Sequence, residues 1–445
     1  MKHFSCLTFA LALLVTPVSA QSIDDAVEAY NSGQYGTALE YARALSNQGV
    51  ARAQNMLGVL YKNGEGVEQD VPRAVAYFEA AIALGEARAM ANLGTMLTEE
   101  FQGYPADPAR ARALLEQAMA LGNVGAINSL GVWYEAGAGG APDYTRALDL
   151  YRQAMALGNM DAARNIGALY GRGDGVTQDH ERARAYYRIA ADGGNAGAMD
   201  ELGYLLQRGW GGPADLPAAM RFYERAGDLG DPEALYSLAD IHFGGDEGVP
   251  ADVPRAIRYY ERAMDAGNGD AAYALGWIYE GGRGVPADQE RALDYYWSGF
   301  DMGSADAAYV LGTMSRDGDL LPEDHVFARH MLEIALERDH DWAANELGNM
   351  WADGRGGPAD PERAEVLLRQ GFAMGDSEAA ISLANLLHIP GSTRHRPVEA
   401  MAFCIRGIAM AGSDVPAHYT ETCDAIEAQL SSEDRAAALE RSRQL

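Results

Sequence analysis

Residues 270–303 read DAAYALGWIYEGGRGVPADQERALDYYWSGFDMG, one complete copy of the pattern that governs the chain. Leu275-Gly276 stands at its centre, with Ala271 four residues before and Ile278 three after, offsets that place all three on one face of a helix, here called helix A. A glycine-rich loop leads to Asp288, then to Ala292 with Tyr295 and Tyr296 at three and four places beyond it, the face of a second helix, helix B. An aspartate four residues ahead of that alanine accepts the unpaired N–H groups of a first helical turn and suits its positive end. Gly303 ends helix B, where left-handed backbone is needed to turn the chain.

Outward from this copy the landmark recurs at Leu57, Leu93, Leu130, Ile166, Leu202, Leu238, Leu275, Leu311, Leu347 and Leu383, spaced by 36 or 37 residues. A fixed period of that size is the signature of a solenoid. Alanine always stands four places before the landmark, and glycine follows it except at Ala239 and Ala384. Asp70, Asp107, Asp143, Asp179, Asp215, Asp252, Asp288, Asp324 and Asp360 hold the same place before helix B in nine copies. Glycine closes nearly every helix B, with Asp339 the exception.

Composition narrows the function classes. Across 445 residues 64 acids face 35 bases, a net charge of -29 that repels both nucleic acid and an anionic membrane surface. Lysine occurs only at Lys2 and Lys62, so a phosphate loop of the G-x-x-x-x-G-K-[ST] type cannot be written. His325 and His330 are five residues apart, nearly half a turn out of register for shared metal ligation, and neither H-E-x-x-H nor G-x-S-x-G occurs. No cofactor, metal site or catalytic set is expected.

Residues 1–20 read as a signal peptide: Lys2, an apolar run from Phe4 to Val15, and the small-residue cleavage site Val18-Ser19-Ala20. The mature chain is expected to begin at Gln21 and to be periplasmic or secreted, with no later stretch long enough to cross a bilayer. Cys404 and Cys423 then remain, an even number in an oxidising compartment, and one disulfide between them is expected.

The residues A-x-x-x-L-G-x-x-Y, a G-x-G-V loop, an aspartate and A-x-x-x-Y-Y-x-x-A together resemble the Sel-one-like repeat (SLR), a relative of the tetratricopeptide repeat. Leu57–Ala81 and Leu275–Ala292 match almost throughout. The resemblance covers residues 50–412 as ten copies, behind a tetratricopeptide-like pair in residues 21–49 and ahead of two capping helices in residues 413–445. It implies an all-α fold, a right-handed α-α superhelix of about eleven helix pairs with its open end capped. The loops Thr98–Pro105, Arg316–Asp324 and His388–Pro397 depart from the pattern, and contacts specific to a partner would be easiest to evolve there.

In related tetratricopeptide arrays helix A lines a concave groove. The stripe facing away from the core falls two and five residues to either side of the landmark. Toward the N-terminus it holds Arg52, Asn55, Lys62, Arg88, Asn128 and Arg164; further along it holds Asp200, Tyr204, Glu233, Tyr236, Asp240, Asp270, Tyr273, Trp277, Glu280, Asp306 and Tyr309. Aromatic rings beside carboxylates favour arginine and lysine side chains. Tyrosines two places before the landmark have a simpler use in packing against the next helix, whereas Trp277 and Tyr204, two places after it, are the sharper recognition candidates. Arg172-Gly173-Asp174 spells an adhesion tripeptide but occupies a position that other copies use for a turn.

The resemblance implies an exported, non-enzymatic scaffold or regulatory adaptor that binds a protein or peptide with a basic segment in that groove. Two alternatives stay open. The Tyr/Trp stripe could stack on a glycan or cell-wall component during polysaccharide export. A cell-wall-related hydrolase is the other, because exported cysteine-rich relatives have been linked to β-lactam compounds, although those carry a disulfide in each repeat and this chain does not.

Overall fold

The computed structural model describes residues 22–445 apart from residues 247, 390, 393 and 414. The expected signal peptide lies outside the described residues. Among the described residues there are 24 helices, falling into two compact units that divide after Asp215. Unit 1 holds α1 (Ile23–Asn31), α2 (Tyr35–Ser46), α3 (Ala51–Asn63), α4 (Val71–Ala83), α5 (Ala87–Met96), α6 (Pro108–Ala120), α7 (Val124–Glu135), α8 (Tyr144–Ala156), α9 (Met160–Arg172), α10 (His180–Asp192) and α11 (Ala196–Arg208). Unit 2 holds α12 (Leu216–Asp228), α13 (Pro232–Gly244), α14 (Val253–Asp265), α15 (Gly269–Glu280), α16 (Gln289–Asp301), α17 (Ala305–Asp317), α18 (His325–Glu337), α19 (Ala343–Asp353), α20 (Pro361–Ala373), α21 (Ser377–His388), α22 (Pro397–Ala411), α23 (Ala417–Glu427) and α24 (Ser432–Ser442).

Odd numbers up to α21 are helix A and even numbers up to α22 are helix B, so the fold is the expected all-α solenoid. The alanine four places before each landmark is fully buried in every copy, from Ala53 to Ala379, and the landmark residues are buried with it. Within each unit helix A packs most closely on the helix B that follows it. Odd helices also touch one another, α1, α3, α5 and α7 in succession in unit 1, and α15 with α17 and α19 with α21 in unit 2. They form the inner layer of each unit.

The landmark glycine makes this packing possible. A Cβ on Gly131 would lie 2.5 Å from the Tyr151 ring, and one on Gly276 would lie 2.6 Å from the Tyr296 ring. The ring of helix B therefore rests on bare backbone of helix A. At the far side of the ring the hydroxyl finds a carboxylate on helix A: Tyr151 donates to Glu135 and Tyr296 to Glu280, each at 2.6 Å. Where Ala239 replaces the glycine, Tyr260 donates to Asp240 instead.

Asp70, Asp107, Asp143, Asp179, Asp252, Asp288, Asp324 and Asp360 cap their helices by accepting backbone N–H groups, as their place in the pattern predicts. Their context holds a second device. The arginine three places after the cap lays its guanidinium over the aromatic ring four places after the landmark: Arg73 over Tyr61 at 4.4 Å, Arg291 over Tyr279 at 4.1 Å and Arg363 over Trp351 at 4.1 Å. Asp339, standing where other copies have the terminal glycine, takes the left-handed conformation itself at φ 62°.

After α22 the chain folds back. α23 packs on α21 and α22, and α24 packs on α22. Cys404 on α22 and Cys423 on α23 are paired with their Cα atoms 5.6 Å apart, both side chains buried.

Candidate functional site

The stripe residues divide between the units: Asp200 and Tyr204 lie in unit 1, and Glu233, Tyr236, Asp240, Asp270, Tyr273, Trp277, Asp306 and Tyr309 lie in unit 2. In unit 2 they come from α13, α15 and α17, three neighbouring helices of the inner layer.

The three tyrosines are half-buried and pack on aromatic partners. Tyr236 meets Tyr260 edge-on at 5.5 Å, Tyr273 leans on Tyr296 at 5.8 Å, and Tyr309 stacks on His340 at 4.1 Å. Burial, followed by the charge of Glu346, pushes the Tyr309 hydroxyl up to about 12. Burial raises the Tyr236 hydroxyl as well, and the charges that weigh most on it are Asp240, Asp270, Asp306 and Glu233. The charges of four carboxylates on three helices thus act on one phenol.

Each of those carboxylates also has a partner inside unit 2. Glu233 accepts from the Asn268 amide at 2.9 Å, Asp270 from the Ser304 hydroxyl at 2.7 Å, and Asp306 lies 3.2 Å from His340 Nε2. Asn268 and Ser304 are themselves helix caps, so the acid in the first turn of one helix A fixes the cap of the next. Burial raises the carboxyls of Glu233 and Asp240 above their ordinary range. Glu233, Asp240 and Asp270 nevertheless remain open to solvent, and the Asp306 side chain is half-exposed.

Trp277 is 38% exposed, the outlying ring of this face. The Arg283 guanidinium lies over it at 3.5 Å, and Phe243 meets its edge at 5.7 Å. Arg283 comes from the loop after α15 and occupies one face of the ring.

In unit 1, Tyr204 is 40% exposed and stands perpendicular to Trp210 at 5.5 Å, with Arg208 over its ring. Trp210 stacks on His180 at 5.0 Å, and Tyr204, Trp210, His180, Arg172 and Glu201 border a cavity of about 260 Å³. Asp200 is partly buried on the same helix. The Arg172-Gly173-Asp174 turn closes on itself: Arg172 pairs with Asp174 at 2.5 Å and with Glu135 at 2.6 Å, around a left-handed Gly173. Toward the N-terminus Arg52 pairs with Asp24, Asn92 donates to Asn55, and Asn165 donates to Asn128. These cross-links join residues 28 to 37 apart, which single-copy periodicity does not display.

A profile of the Sel1 repeat matches residues 51–86, 87–123, 124–159, 161–195, 196–231, 232–268, 269–303, 305–340 and 343–376. The chain belongs to the Sel1 repeat family. The pair α21 and α22, which the landmark series counts as a tenth copy, lies beyond the last matched span. This Sel1 repeat protein is similar in structure to a protective antigen of uropathogenic Escherichia coli strains that displays the SLR fold, with a TM-score of 0.56 and 26% identity over 96% of this chain and 92% of that one. It is also similar to a Sel1 repeat protein from Oxalobacter formigenes, 28% identical over 58% of this chain and 99% of that one, TM-score 0.49. No curated protein matches it. No helix among the described residues is long and apolar enough to cross a membrane.

Proposed function

We propose that this Sel1 repeat protein is an exported scaffold that holds a basic segment of a partner protein on the inner face of unit 2. The observation that carries this reading is the set of solvent-open carboxylates Glu233, Asp240, Asp270 and Asp306 on the successive inner-layer helices α13, α15 and α17, with the exposed Trp277 on α15. Internal hydrogen bonds orient Glu233, Asp240 and Asp270 while leaving them open to solvent. A partner arginine or lysine gains several acceptors at once, and its aliphatic stem lies along the rings. Membership in a repeat family built for presenting surface, and the signal-like residues 1–20, support a binding role outside the cytoplasm. So does the similarity to a protein described as a protective antigen.

A peptide array graded in arginine and lysine content tests the reading. Binding to the protein should rise with the number of basic residues and fall with added salt. Binding that is indifferent to both would sink it.

A further inference from the structure

In regular copies the loop after helix A presses its second glycine against the preceding pair: a Cβ on Gly66 would lie 2.7 Å from the backbone of Tyr35. Thr98–Pro105 is built differently. α5 stops after 10 residues where α3 runs for 13, and Phe101 and Tyr104 exchange two backbone hydrogen bonds of 3.0 and 2.9 Å. Between them Gln102 and Gly103 are both left-handed, at φ 49° and 75°, the conformation a tight two-residue hairpin demands. A glutamine held there is constrained backbone, and what it presents is Phe101. The shortened helix and the hairpin leave a cavity of about 610 Å³ over α3, α5 and α7, wholly within unit 1, with Phe101 in its wall.

Glu99 and Glu100 bring carboxylates to this cavity, and three of its other polar groups are oriented by hydrogen bonds. Asn92 uses one amide N–H on Asn55 and keeps its carbonyl oxygen and a second N–H; Asn128 accepts from Asn165 and keeps its N–H donors. Thr95 donates to Ser129, which leaves the Ser129 hydroxyl hydrogen as a donor. Lys62, the one lysine among the described residues, reaches within 5.8 Å of the Phe101 ring. One amide acceptor and one amide donor on adjacent helices match the N–H and C=O of an acetamido group. Hydroxyl and ammonium donors around an apolar ring match the vicinal hydroxyls and the C–H face of a pyranose. The volume is in the range of small-ligand sites.

We propose that this cavity is a saccharide subsite for an N-acetylated amino sugar, independent of the acidic face of unit 2. A peptide group carries the same amide chemistry, but the hydroxyl donors and the hairpin wall suit a compact polyol better than a chain running through.

Lys62 supplies the probe. Reductive ¹³C-methylation of the full protein labels its amine, and loss of a signal in Lys62→Arg identifies it. Titration with the β-1,4-linked disaccharide of N-acetylglucosamine to about 30 mM should give a saturable shift with a Kd of about 1 to 10 mM. Asn92→Ala and Phe101→Ala should each weaken it at least about fivefold with helicity unchanged, and Phe101→Tyr should restore it. Cellobiose, which lacks the acetamido group, should bind at least about fivefold more weakly. A capped tetra-alanine peptide binding as tightly as the disaccharide, equal affinity for cellobiose, or no saturable shift with the disaccharide overturns the proposal.

Discussion

Gly276 lies so close beneath the ring of Tyr296 that a Cβ on the glycine would stand 2.6 Å from it. The landmark glycine is thus a socket for a helix B side chain: a ring at Gly58, Gly131, Gly167 and Gly276, a leucine at Gly94, Gly312 and Gly348. A methyl group on Gly276 must push the Tyr296 ring away and strain the hydroxyl bond to Glu280. Gly276→Ala should cost about 1 to 3 kcal/mol, measured by thermal or urea unfolding, and the double change Gly276→Ala with Tyr296→Leu should recover part of it. An unchanged melting curve for Gly276→Ala would refute the socket.

Glu365 sits among Arg396, Arg369 and Arg394, with its own side chain buried. Burial alone would raise its carboxyl, but the hydrogen bonds from the three guanidinium groups outweigh that and bring it down to about 2. Because the folded value is depressed, the stabilisation is complete above the ordinary glutamate range and is lost as pH falls from about 4.5 toward 2. Glu365→Gln should remove that part of the acid dependence. At neutral pH it should cost about 2 to 4 kcal/mol, held to that range because the arginines are partly solvated. Acid titration of stability in the two proteins decides it.

The Cys404–Cys423 pair would be closed in a protein purified from an oxidising compartment. Thiol titration under denaturing conditions should find no free cysteine in the mature protein, and Cys423→Ser should lower stability by about 3 kcal/mol. The same preparation should begin at Gln21 by N-terminal sequencing. Two titratable thiols, or a chain that retains Lys2, would contradict export as proposed.

What the sequence displays is whatever repeats within one copy. Leu275, Ala271, Asp288 and Gly303 each do a local job, so their period announced helix A, helix B, the caps and the turns. The arginine over the landmark aromatic was also open to view: Asp288 and Arg291 are three residues apart, and Tyr279 follows Leu275 by four. The roles of Glu233, Asp270 and Asp306 were hidden because their partners Asn268, Ser304 and His340 stand in the next copy, where the pairing chemistry changes from amide to hydroxyl to imidazole. Arg283 over Trp277 was hidden for another reason. Only loop geometry decides which way a loop arginine turns. The Phe101–Tyr104 hairpin appears in sequence as the absence of a G-x-G-V motif, which marks the place without giving its shape.

Arg283 bears directly on recognition, since it covers the ring face that a partner cation would use. Removing it exposes that face and deletes a positive charge that would repel a partner cation at Trp277. Arg283→Ala should therefore bind a basic partner about two- to fivefold more tightly, the equivalent of one exposed cation–π contact. A weakened or unchanged affinity, read by fluorescence anisotropy with a labelled arginine-rich peptide selected from the array, would show that Trp277 serves the loop alone.

The most direct measurement is the affinity of that same peptide for the double variant Asp240→Asn, Asp270→Asn at low and at physiological ionic strength. Asparagine keeps an oxygen to accept from Tyr260 and Ser304, so the fold should be retained, and equal melting temperatures confirm it. With two of the four carboxylate charges gone, binding should weaken about five- to thirtyfold and lose much of its dependence on salt. Undiminished affinity with the salt dependence intact, in a protein that melts like the parent, would mean that the inner face of unit 2 is not where a basic segment is held.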